Sequence, residues 1–344
     1  MTGRMLNRQV HIDALKVIAS QLIVLHHFSA YGPLSDALSE ASPRVATWLY
    51  EYARMAVQVF LVLGGYLAVR SLAPEGFLRG GAPWVRVWQR YRRLALPFVV
   101  AMALAVVSSL LARHWLDADF IPDAPTWSQI LAHATLLHGV LGMDSLSAGA
   151  WYVAIDFQLF ALTTGLLWLG RSQVWLARIA VIGLMLTSLL FLNRDAAWDN
   201  WALYFFGAYG LGAAAFWAAR SDRPGWMLGL LAGTGLLALA IDFRWRIALA
   251  LGAALLLGLL QWRDQAVLPP HRDGTSGGAS RWIGRLGQSS YALFLVHFSV
   301  LMLGNAVFVR WGLTGAGSAA LVLLTSWSVS MVMALWFERW VERG

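Results

Sequence analysis

The 344-residue chain has no cysteine. Disulfides, thiolate metal sites and a thiol nucleophile are therefore excluded. Charge is scarce too. Asp, Glu, Lys and Arg make up 13% of the residues, against about 25% in soluble domains. So few charges cannot cover a water-facing surface, which excludes an ordinary cytosolic enzyme, a disordered chain and a disulfide-built secreted domain. Lysine is almost missing: Lys16 stands alone beside 25 arginines. What the chain does have is apolar residues, at 59%. It reads as an all-α polytopic membrane protein forming a single domain over residues 1–344.

A helix needs about 20 apolar residues to cross the hydrocarbon core. Ten stretches qualify, at 10–30, 53–73, 95–115, 150–170, 178–193, 200–219, 225–242, 246–262, 288–309 and 317–337. An eleventh, 129–142, is short and contains His133, His138 and Gly139. It is expected to lie at the outer interface or to dip into it as a re-entrant helix. The N-terminal stretch carries Arg4, Arg8, Asp13 and Lys16 and lacks a small-residue cleavage pattern, so it reads as the first span rather than a signal peptide. With the N-terminus inside, 18 arginines fall on inner segments and 7 on outer ones. That asymmetry follows the positive-inside rule and predicts both termini in the cytoplasm. It also accounts for the formal net charge of +8 without nucleic-acid binding. The polar stretch Gln261 to Gln288, with Pro269-Pro270 and a Gly-rich run, reads as a flexible cytoplasmic loop.

Charged and polar side chains inside spans are costly, and by default they mark function. In the first span Lys16 and His27 are eleven residues apart, which is about three turns plus 20°, so they face one way, separated by roughly 16 Å. Asp13 and Ser20 share the stripe. The plainest reading is a bundle-facing Asp13–Lys16 ion pair with a hydrogen-bonded His27. His26, turned about 100° away, is expected to point to a neighbouring helix or to the cavity rim. Arg90 and Arg93, three residues apart before the third span, are adjacent on one helical face. Such a pair either anchors the inner boundary or grips phosphates in bidentate fashion.

Six segments in order then resemble the membrane acyltransferase-3 family. Ile12-Asp13-Ala14-Leu15-Lys16 is similar to its Leu-Asp-x-Leu-Arg opening, and Lys16-x₁₀-His27 to its Arg/Lys-x₁₀-His pattern. Val59 to Leu67 resembles its Phe-Phe-x-x-Ser-Gly-Phe segment, and Arg90-Tyr91-Arg92-Arg93 supplies Arg-x-x-Arg before Pro97. Trp151 to Phe160, containing Asp156 and Gln158, resembles Trp-x-Leu-x-x-Glu-x-Gln-x-Tyr. Ser289 to His297, containing Tyr291, resembles Ser-Tyr-x-x-Tyr-Leu-x-His. Two departures stand out: Gly64 replaces the usual Ser, and Asp156 the usual Glu.

The resemblance implies an integral membrane O-acyltransferase in a bacterial-type inner (cytoplasmic) membrane. It would move an acyl group, acetyl ahead of succinyl, from cytoplasmic acyl-CoA to a hydroxyl of a cell-surface or lipid-linked saccharide. Arg90 and Arg93 would hold the CoA phosphates. Lys16, beside Asp13, would bind a phosphate or polarise the thioester. His27 would act as general base or as an acyl-carrying nucleophile. Trp151, Asp156, Gln158, Tyr291 and His297 are further site candidates. Acetyl-CoA is then a donor substrate and not a resident cofactor, and eight dispersed histidines form no metal-ligand spacing. A secondary transporter or flippase with Lys16, Asp156 and His297 lining a path is the alternative.

Overall fold

The computed structural model describes residues 10–266 and 278–342, and among them there is no strand. In chain order the helices are α1 (Val10–Ala30), α2 (Pro33–Ala41), α3 (Pro43–Glu51), α4 (Val57–Leu72), α5 (Pro83–Ala112), α6 (Trp127–Ala134), α7 (Ala150–Leu169), α8 (Val174–Leu190), α9 (Ala202–Ala219), α10 (Pro224–Ile241), α11 (Trp245–Ala266), α12 (Gly278–Arg310) and α13 (Ala316–Phe337). Four of them, α2, α3, α5 and α10, have proline in the first turn. There its missing N–H leaves no hydrogen bond broken.

Among the described residues nine helical stretches are long and apolar enough to cross a membrane. They coincide with the second to tenth expected spans. The first, α1, is 21 residues long, about 31 Å at 1.5 Å per residue. It is not among the nine, and Asp13, Lys16, Gln21, His26 and His27 make it the most polar of the set. Two helices extend well past their apolar stretches: α5 begins at Pro83 and α12 at Gly278. The expected loop from Gln261 to Gln288 is therefore helical at both ends, in α11 as far as Ala266 and in α12 from Gly278. Its middle lies outside the described residues.

Helix α9 occupies the centre. Its apolar window is 94% buried, whereas those of α10 and α13 are 22% buried and form the rim. Small residues make this possible. A Cβ on Gly65 of α4 would come within 1.8 Å of the Tyr209 carbonyl oxygen, and one on Gly212 within 1.9 Å of the Val62 carbonyl oxygen. The α4 and α9 backbones thus touch where no side chain fits.

Helices α1 and α12 pack in parallel. Asp13 lies against Gly287, His27 against His297, and Asn305 bonds to Leu34 N–H and to the Tyr31 carbonyl. Parallel packing requires an odd number of spans between them, and the second to eighth expected spans supply seven. The eight residues of α6, about 12 Å long, are not a crossing. They dip into the bundle instead. The Tyr91 hydroxyl donates to the Ala134 carbonyl (2.7 Å), Gln158 Nε2 donates to the Leu136 carbonyl (3.1 Å), and Phe98 lies 6.3 Å from the rings of His133 and His138. Thr126 and Gln129 cap its entry reciprocally.

Candidate active site

Helix α1 brings His27 and α12 brings His297 to a 2.7 Å contact between His27 Nδ1 and His297 Nε2. The rings stack at 4.9 Å and 17°. Both residues are buried. One further contact fixes the protons. His297 Nδ1 lies 2.9 Å from the Leu293 carbonyl oxygen, which can only accept, so Nδ1 carries the hydrogen. In the neutral ring Nε2 is then an acceptor, and His27 Nδ1 must donate to it. His27 Nε2 is left with an unprotonated lone pair. Tyr31 and Phe298 stand edge-on to the His27 ring at 5.6 and 6.0 Å. His26, turned away, contacts the Leu49 carbonyl through Nδ1 at 3.2 Å and so meets the neighbouring α3.

A second polar centre lies nearer the start of α5. Arg90 Nη2 donates to Asp156 Oδ2 at 2.5 Å. The Asp156 side chain is 8% exposed and that of Arg90 29%. The guanidinium also sits over Phe160 at 5.3 Å, and its Nε is buried without a partner. A line of rings joins the two centres. Tyr152, one turn from Asp156 on α7, is 5.3 Å from Phe294, which is 6.2 Å from His297. The Tyr291 hydroxyl donates to the Leu94 carbonyl at 3.2 Å and sets the register of α12 on α5. Counting one turn from Leu94 to Arg90 and six residues from Tyr291 to His297 separates the centres by about 15 Å along the bundle.

The remaining candidates divide. Asp13 is buried against Gly287, and Lys16 is partly buried about three turns before His27. Arg93 is exposed, so the two arginines that share a helical face differ in surroundings. Trp151 and Gln158 lie on the face of α7 turned away from Tyr152 and Asp156. Among the described residues no group of three or more His, Asp or Glu side chains is arranged to hold a metal ion. Outside the spans, the His133 and His138 rings stack at 4.1 Å and 5°. Neither nitrogen of His138 has a partner. Burial, and secondarily the neighbouring His133, push its pKa down to about 4.

The matched stretch now carries weight, because it contains every one of these side chains. A family model described as an acyltransferase domain matches residues 10–337. The chain belongs to the acyltransferase-3 family. No curated protein and no solved structure matches it. The chain is accordingly a membrane acyltransferase of many helical spans. Its two departures from the family pattern turn out to be neighbours: a Cβ on Gly64 would lie 3.2 Å from Asp156 Oδ1 and 3.0 Å from Tyr209 Cε2. Both changes take side-chain atoms out of the same corner of this acyltransferase, beside Arg90. Sequence reasoning overlooked Tyr152, Tyr209 and Phe294. Tyr209 had a readable signal, a hydroxyl in the middle of a span whose one other hydroxyl, Tyr204, lies near its start.

Proposed function

We propose that the chain transfers an acyl group, acetyl first among the candidates, from acyl-CoA to a saccharide hydroxyl, with His27 Nε2 as general base. The observation that supports this most is the ordered chain from the Leu293 carbonyl through His297 to His27. It leaves one lone pair on a buried imidazole and holds the ring that bears it. An acceptor hydroxyl placed there gives its proton to Nε2 while its oxygen attacks the thioester carbonyl. The C–O bond forms, the C–S bond breaks, and the proton passes from Nε2 to the departing CoA sulfur. No net charge remains on the site.

On this reading the donor enters from the cytoplasmic side, where α5 begins. Exposed Arg93 contacts its phosphates, and Arg90 does so only by leaving Asp156. Lys16 stands between the two levels and steadies the donor or Asp13. The acceptor approaches from the opposite end of α1, on the outer side of the cytoplasmic membrane.

The test is thiol release and acyl transfer by the purified protein in lipid nanodiscs, with acetyl-CoA and succinyl-CoA compared as donors. Wild-type protein is expected to release CoA thiol, and His27→Ala to lose about 10²–10⁴-fold while its calorimetric affinity for CoA is unchanged. His26→Ala is expected to lose far less. Thiol release in His27→Ala equal to that of the parent would remove the base. Transport of a substrate without thiol release would favour a secondary transporter.

A further inference from the structure

The face of α7 opposite the ion pair borders a second space. Trp151 and Gln158 are seven residues apart, so they project within about 20° of each other. With Phe205 of α9 and with Asp199 and Asn200 of the α8–α9 connection they line a cavity of about 240 Å³. Neither His27 nor His297 lines it, and the ring contacts that lead from Trp151 to His297 pass through Tyr152 and Phe294. The cavity is therefore distinct from the histidine site. It opens among connections at the end of the bundle where α7 begins and α1 finishes.

We propose that this cavity binds one neutral, hydroxyl-rich ring, a sugar, beside Trp151 and Phe205 and under Asp199 and Asn200. Its volume equals that of about eight waters at roughly 30 Å³ each, enough for a single ring and too little for a chain of them. The two aromatic rings, 5.4 Å apart and tilted by 31°, form an apolar wall suited to the C–H face of a pyranose. The polar side is suited to hydroxyls. Gln158 spends its amide N–H on the Leu136 carbonyl, which orients its carbonyl oxygen as an acceptor. The exposed Asp199 and Asn200 side chains make no hydrogen bond among the described residues. A few placed polar groups on an apolar wall are the usual make-up of a small-molecule site.

Charge narrows the ligand class. No arginine or lysine lines the cavity, and Asp199 brings a negative charge. Phosphates, and with them CoA and anionic lipid headgroups, are disfavoured. A small cation such as choline satisfies the aromatic wall and Asp199, but its quaternary ammonium gives no hydrogen bond to the Gln158 carbonyl oxygen or to the Asn200 amide. A neutral polyol uses all of them. The proposal rests on the acyl-transfer reading for what the sugar is for, and not for whether it binds.

The experiment is saturation-transfer NMR on protein purified in a detergent without a sugar headgroup. The probes are methyl α-glucopyranoside, methyl α-mannopyranoside and methyl N-acetyl-β-glucosaminide, with choline and glycerol 3-phosphate as competitors for the assignment. Ring protons of at least one glycoside are expected to receive saturation. The signal is expected to fall at least about fivefold in Asp199→Ala/Asn200→Ala, and in Gln158→Leu, and to persist in His27→Ala. The double variant changes only exposed side chains, so its melting temperature is expected to match the parent's. Silence from all three glycosides, transfer to choline or glycerol phosphate in their place, an undiminished signal in Asp199→Ala/Asn200→Ala, or loss in His27→Ala would each overturn it. Glycoside binding without acyl transfer would leave this proposal standing and sink the enzymatic one.

Discussion

Replacing Arg90 by alanine tests whether the ion pair on α5 and α7 belongs to the framework or to the donor. Arg90 Nη2 lies 2.5 Å from Asp156 Oδ2, and Asp156 is almost completely enclosed. Removing the guanidinium leaves a carboxylate in a low-dielectric surround, with water unable to replace its partner. Breaking a buried pair from one side costs about 3–5 kcal/mol. In a chain of 344 residues that lowers the apparent melting temperature by about 4–7 °C. Arg90→Met/Asp156→Leu removes both charges and should recover most of the loss, since the exchange of a buried pair for apolar residues is often neutral. Arg93→Ala, on an exposed residue, should stay within about 0.5 kcal/mol of the parent. Its effect should fall on CoA affinity instead, at about 1.5–3 kcal/mol, or tenfold and upwards. Melting followed by size-exclusion chromatography, together with CoA titration calorimetry on the same variants, separates the two roles. If Arg90→Ala melts within about 2 °C of the parent, the pair carries no structural weight and the argument from burial fails.

Other expectations follow from single contacts. His297→Phe keeps the ring but removes the acceptor for His27 Nδ1–H; transfer should drop and its pH profile should move, with CoA affinity unchanged, whereas an unaltered profile would deny His297 a positioning role. Gly212→Ala forces a methyl group against the Val62 carbonyl and should cost at least about 3 kcal/mol, visible as loss of monodisperse protein; normal yield would mean that α4 and α9 can separate cheaply. His138 has a pKa near 4 in the fold, below the ordinary 6.5, so the unfolded chain takes up the proton first as pH falls. The stability it allows is complete above about pH 6.5 and declines toward pH 4, by at most about 3 kcal/mol. His138→Phe should flatten that part of the melting-temperature profile, and an equally steep profile in the variant would place the titration elsewhere.

The spans were legible because hydropathy reports the hydrocarbon thickness directly. The full helical extensions of α5 and α12 were not, since helix that leaves the hydrocarbon carries no apolar run; Arg90 and Arg93 were placed on one helical face, but the start of α5 at Pro83, about three turns before the expected span, was not. Helices α2 and α3 lay outside the expected spans for the same reason. In the site, the stripe containing Asp13, Lys16 and His27 follows from periodicity alone. That His27 meets His297, 270 residues away, does not, because spacing within one helix says nothing about its partner. Likewise Arg90 and Arg93 look equivalent along the sequence. Only the approach of Asp156 from α7 distinguishes them.

The pairing of α1 with α12 has a consequence for biosynthesis. The membrane receives the first helix at the start of translation and the ninth expected span only near its end. Throughout that interval His27 is present without the imidazole that orients it. On the reading proposed above, a nascent chain lacks the oriented imidazole of the site, and competence is expected only once α12 packs alongside α1. Truncation anywhere before residue 297 should yield an inserted but inert protein. Supplying the missing C-terminal spans as a separate polypeptide should restore turnover, if the two pieces find each other in the bilayer.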